Sequence, residues 1–263
     1  MFATIKVNRD DKKAYRLWVL MVFLLSGCIS QEKGTVILTQ AVDLAPDQHD
    51  TINRHYAELV DIQDNITRAY KLGPYTQMYI LRKTDRLGST TPIFNYLLKV
   101  AGARVHLNYS LFVSTDHKAD EQLAISGLLA HELAHAQHYQ KMSLLELLQL
   151  GLRYRSYESR LSSSKWADWV RSYERFTDLQ AIAHGYGKPL IEQKRKTRLY
   201  LQNTKDSGDQ EYQFSAYLTE EEIASLSADA DLFRTRLEQE LTVLKWPVFR
   251  AIVQGFPSER IIE

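Results

Sequence analysis

The sequence predicts an α+β fold, with a few strands first and helices afterwards. Three observations carry that expectation. Short β-branched or alternating segments lie at Thr35–Thr39, Thr76–Leu81 and Arg104–Val113. From Lys118 onward, apolar residues recur at helical spacing. A single cysteine among 263 residues excludes an internal disulfide framework. Hydrophobic residues at 44% and charged residues at 25% describe a globular chain, not a disordered one. The net charge of +1 gives no electrostatic case for nucleic acid, and none is expected as a partner.

The first residues read as a targeting segment. Lys6, Arg9, Lys12, Lys13 and Arg16 precede the uncharged run Leu17–Leu25 (LWVLMVFLL). That run is too short to cross a bilayer as a helix, which takes about 20 residues. A basic stretch, a short apolar stretch and small residues predict a signal peptide over 1–27. Leu25-Ser26-Gly27-Cys28 resembles the lipobox of bacterial lipoproteins. The resemblance implies cleavage before Cys28 and acylation of its sulfur, with residues 28–34 as a lipidated tether. The lipid would be the membrane partner, each buried CH₂ contributing about 0.8 kcal/mol. The expected location is the bacterial cell envelope, facing the periplasm. The resemblance to lipoproteins of Gram-negative bacteria, with Ile29 rather than Asp after the cysteine, implies the outer membrane rather than the inner. Cleavage also removes more basic than acidic residues and leaves a slightly acidic chain.

Residues 35–263 are expected to form one domain. A strand at Thr35–Thr39 is followed by a helix over Asp47–Tyr70, broken by Gly73-Pro74. Thr76–Leu81 is a second strand. Arg104–Val113 alternates, with Val105, Leu107, Tyr109 and Leu111 on one face, as a half-buried antiparallel strand does. Helices then dominate. One covers Lys118–Gln140. Ser143 with Glu146 forms a capping-box pattern that opens a second, to about Tyr154. Ser162–Ser164 precede a third, Trp166–His184, which Gly185 and Gly187 end. Residues 203–214 are polar and read as a loop. Thr219 with Glu222 repeats the capping-box pattern, and a last helix spans Ala228–Leu244 before Pro247.

The third of these helix regions and the first carry the chemistry. His131-Glu132-Leu133-Ala134-His135 is an H-E-x-x-H motif placed mid-helix. Residues i and i+4 differ by about 40° of rotation, so both imidazoles leave one face. Two nitrogens from one rigid element supply half of a tetrahedral zinc site. Glu132 stands about 100° round from His131, beside a metal rather than on it. There it can take a proton from a metal-activated water. Downstream, Glu174-Arg175-Phe176-Thr177-Asp178 places two carboxylates at i and i+4 on another helix. One can ligate the metal; the other can accept the free N–H of a ligating histidine.

With these residues the sequence resembles the gluzincins, and within them the HtpX and CAAX-prenyl-protease branch with its soluble periplasmic relatives. The likeness covers about residues 75–190: the HELAH helix, the E-x-x-x-D helix and the closing Ala183-His184-Gly185-Tyr186. It implies a zincin-like fold with a small mixed or antiparallel sheet, whose edge strand, at 104–113, precedes the HExxH helix and holds an extended substrate. It implies one Zn²⁺ per chain on His131, His135 and Glu174, with Glu132 as general base and Asp178 behind a ligand. His184 is a further candidate for assisting the transition state, and Tyr154, Tyr157 and Tyr173 for stabilising an oxyanion. Thr177 departs from the family's alanine before the aspartate. Leu144–Leu152 is too short to be a membrane helix and reads as a packing helix or a lid.

His138 is expected at the cleft rim, and the basic runs Arg153–Arg160 and Lys194–Arg198 on solvated faces. The expected function is a membrane-anchored zinc endopeptidase acting on envelope proteins or peptides. The alternative is a weakly active or inactive zinc-site protein that binds clients as a chaperone does. A purely structural lipoprotein with a coincidental HELAH is the remaining rival.

Overall fold

The structure, a computed structural model, describes residues 37–42, 59–73, 76–81, 87–95, 100–108, 118–158, 164–202 and 215–258. The signal segment, Cys28, the tether, residues 47–58 of the first expected helix, Pro74, Tyr109–Val113, Ser162–Ser163 and the 203–214 loop lie outside these.

Among the described residues, four strands form one mixed sheet: β1 (Ile37–Val42), β2 (Thr76–Leu81), β3 (Gly88–Asn95) and β4 (Val100–Asn108), in the order β1-β2-β4-β3. β1 and β2 run parallel, as do β2 and β4, while β3 pairs antiparallel to β4. Alternation sets one apolar face. Met78 and Ile80 of β2 are buried, and so are their partners Val105 and Leu107 of β4, whereas Gln77, Tyr79, Arg104 and His106 are half-buried.

This arrangement corrects one expectation. The strand that leads into the HExxH helix is β4, and it is interior, hydrogen-bonded on both sides. Among the described residues the edges are β1 and β3, and the one beside β4 is β3, whose GSTTPIFN sequence lacks apolar alternation and carries Pro92. Proline removes a ladder donor and is tolerated at sheet edges.

The helices are α1 over 59–69, α2 (Lys118–Lys141), α3 (Leu144–Glu158), α4 (Ser164–Ala183), α5 (Gly187–Gln202), α6 (Glu220–Ala228), α7 (Ala230–Leu244) and α8 (Pro247–Val253). The expected caps form. Ser143 and Glu146 exchange hydrogen bonds at the start of α3, and Thr219 and Glu222 close a capping box on α6. Asp229 is extended, ends α6 and caps α7 through the N–H groups of Asp231 and Leu232. Gly185 takes φ 88, a left-handed value that its missing Cβ permits, and closes α4 with Gly185 N–H on Ile182 and Tyr186 N–H on Ala181.

Helix α2 is buried on all sides from Ala124 to Tyr139 apart from Ser126, which is the pattern of a core helix rather than a surface one. At Gly127 a Cβ would stand 2.2 Å from the Pro189 carbonyl oxygen, so α2 and α5 touch backbone to backbone. Residues 215–258 complete the same core. Phe233, Leu237, Leu241, Leu244, Phe249 and Phe256 join one buried cluster with α2 and α4. Helix α3 buries Leu147 and Leu150 and exposes Leu144, Leu145, Leu148 and Leu152. Among the described residues, no helix is long and apolar enough to cross a membrane.

Candidate metal centre

The two motif helices meet at the centre of this core. His131 and His135 project from one face of α2 toward Glu174 of α4. His131 Nε2 lies 3.2 Å from His135 Nε2 and 3.2 Å from Glu174 Oε2, which is 3.3 Å from His135 Nε2. Three ligand atoms about 2.0 Å from a tetrahedral ion stand about 3.3 Å apart, so this triangle is the base of such a tetrahedron. All three residues are buried, and Glu174 Oε2 has no hydrogen-bond donor. A buried carboxylate oxygen needs a partner, and a cation held by two imidazole nitrogens and one oxygen supplies it. The group can hold a metal ion, and its donors are those of His₂Glu zinc sites.

Behind each ligand atom stands a second contact. His131 Nδ1 is 2.8 Å from Asp178 Oδ1, so Nδ1–H donates to Asp178 and Nε2 is the nitrogen turned toward the cation position. Asp178 is fully buried and is held by Lys194 Nζ at 3.0 Å and the Leu218 N–H at 3.1 Å. Burial alone would raise its pKa; the Lys194 ammonium and then His131 outweigh that and keep it below the usual range. Burial likewise pulls His131 down, yet Asp178 and Glu174 prevail and raise it to about 9. Glu174 follows the same logic: burial opposes its charge, but His135 and His131 hold it well below the ordinary carboxylate range. The Tyr154 hydroxyl donates to its other oxygen, Oε1.

Glu132 is not in the triangle. Its Oε2 accepts from the Thr90 hydroxyl at 2.6 Å, and a Cβ at Gly88 would stand 3.1 Å from its Oε1. The sheet edge β3 therefore passes directly over the residue expected to act as base. The Tyr139 hydroxyl donates to the Thr90 carbonyl at 3.2 Å and ties the same strand to α2.

The remaining candidates separate. Tyr154 and Tyr173 reach the centre, but their hydroxyls face Glu174 Oε1 and His135 Nδ1. Tyr157 is buried. His184 packs its ring on Tyr70 and Phe256, where burial and then Lys71 lower its pKa to about 4. Thr177 turns its hydroxyl back onto the Tyr173 carbonyl at 2.9 Å.

Two expectations are corrected. His138 is not at a rim: it is 0% exposed, enclosed by Tyr173, Phe176 and Phe249. Burial, and then the neighbouring His135, lower its pKa to about 3, so it is neutral. Lys194 is not on a solvated face. It is buried against Asp178 and the Tyr217 ring, while Arg195 and Arg198 of the same run are exposed and pair with Glu220. Lys194 belongs to an apparent basic run, and nothing local marks it as the partner of a carboxylate sixteen residues earlier. Thr90 was equally hidden, in a segment with no strand pattern. No known family, curated protein or solved structure matches this chain.

Proposed function

We propose that this chain is a zinc-dependent endopeptidase of the gluzincin type, zincin-like in fold. The observation that carries the reading is the buried triangle of His131 Nε2, His135 Nε2 and Glu174 Oε2, with Glu132 beside it under a sheet edge. When bound, zinc supplies an acidified water, with pKa near 7, and a polarised substrate carbonyl. Glu132 would serve as the base, taking a proton from the attacking water and passing it to the leaving amine. Thr90 holds Glu132 Oε2 in place for both transfers. Asp178 keeps the His131 proton on Nδ1, away from the ligand atom. An extended peptide pairs with β3, whose outer side meets no strand among the described residues. The substrates are envelope proteins or peptides. The lipobox at Leu25–Cys28 supports a lipid anchor on Cys28 and a periplasm-facing chain on the outer membrane.

Glu132→Gln tests this directly. The variant is expected to keep one zinc per chain and lose peptide hydrolysis by about 10²–10⁴-fold. Full hydrolysis with zinc retained would end the proposal. If wild type and variant retain unfolded clients equally and neither cleaves, the client-binding reading replaces it.

A further inference from the structure

We propose that Gln137, Gln180, His138 and Tyr173 form a one-way hydrogen-bond relay that locks His135 in the tautomer whose Nε2 is free for the cation. They are positioning residues, and the inference rests on the metal reading above.

The direction of the relay is set at its far end by a backbone atom. Helix α1 closes at Tyr70, with Lys71 left-handed at φ 52, Lys71 N–H on Arg68 and Leu72 N–H on Thr67. That closure leaves the Tyr70 carbonyl without a partner in its own helix. Gln137 Nε2 donates to it. A carbonyl can only accept, so the Gln137 amide has one orientation, and its Oε1 faces Gln180. Gln180 must then donate, from Nε2 at 2.8 Å. Its own Oε1 is left facing His138 Nε2 at 2.8 Å, which must carry the proton. A neutral imidazole has one proton, so His138 Nδ1 is an acceptor. The hydroxyl 3.2 Å from it is that of Tyr173, which donates. The Tyr173 oxygen then accepts from His135 Nδ1–H at 3.2 Å. His135 Nε2 emerges bare, 3.3 Å from Glu174 Oε2.

His138, Tyr173 and Gln180 are 0% exposed. Polar groups this deep occur where every member is satisfied. The relay also explains why the two ligands are supported differently. Asp178 orients His131 with a charge, which Lys194 balances. A second carboxylate behind His135 would stand near Glu174 and repel it. A neutral chain ending on a backbone carbonyl sets the tautomer without that charge.

The test begins on the full chain stripped of metal and labelled with ¹⁵N-histidine. Long-range ¹H–¹⁵N spectra report which ring nitrogen carries the proton. The expected result is Nδ1–H for His135 and Nε2–H for His138; Nε2–H on His135 overturns the relay. This readout needs no variant and no metal, so it stands apart from the zinc reading, which fails if wild type binds no zinc. The second measurement is zinc affinity by chelator competition. Gln180→Leu is expected to weaken binding about 10–100-fold. In a Tyr173→Phe background, where the relay is already cut, the same change should do little. Equal losses in both backgrounds would show that Gln180 acts through packing alone and would overturn the proposal.

Discussion

Asp178 Oδ1 lies 2.8 Å from His131 Nδ1, and the opposite carboxylate oxygen lies 3.0 Å from Lys194 Nζ. The aspartate is therefore a bridge between a ligand and a buried ammonium. Asp178→Ala should weaken zinc binding about 10–100-fold. It should also destabilise the fold by about 3–5 kcal/mol, because Lys194 is left buried and unpaired. Adding Lys194→Met should recover much of the stability and none of the zinc affinity. Denaturation midpoints and chelator competition on both variants separate the two effects.

Zinc binding should depend on pH through His131. With a pKa raised to about 9, the ring is protonated in the metal-free chain at neutral pH and must lose that proton to ligate. Affinity is expected to rise about tenfold per pH unit up to about 9, less any other linked protons, and calorimetry near pH 7 should record proton release on binding. A flat profile between pH 7 and 9 would contradict the ion-paired imidazolium.

The same shift governs stability without metal. The folded pKa lies above the unfolded value near 6.5, so the stabilisation is complete below that value. It is lost as pH rises through about 9. At 1.4 kcal/mol per unit the loss is about 3 kcal/mol. Melting curves of the metal-free chain should fall across that window, and those of the zinc-loaded chain should not.

Thr90→Val removes the hydroxyl that holds Glu132 Oε2 but keeps a β-branched residue on β3. Zinc content should not change, while peptide hydrolysis should fall, by about 10-fold for one charge-assisted hydrogen bond. A variant as active as wild type would leave Glu132 held by other means.

Phe249 packs on Tyr173, Phe176 and His138. Phe249→Ala should cost about 3–5 kcal/mol, measured by denaturant unfolding. An effect under 1 kcal/mol would mean that α8 does not support the centre.

Much of the centre was readable because each half lies within one helix. His131 and His135 share a helix face, as do Glu174 and Asp178, and spacing alone reveals that. The caps at Ser143 and Thr219 were readable for the same reason, since their partners are three residues away. What joins distant segments was not. Lys194 and Asp178 sit on different helices, and Gln137, Gln180 and Tyr70 are residue types with no metal signature. Strand β3 was missed because Gly88 and Pro92 break its pattern, and with it went the identity of the sheet edge. His138 was placed by helix geometry without knowing that α4 and α8 would cover it.

Phe249 lies far beyond Glu174 in the sequence, yet it braces the rings around His138 and Tyr173. The two motif helices are therefore not a portable cassette. A fragment that stops before α8 carries His131, His135 and Glu174 but lacks the aromatic wall that steadies their neighbours.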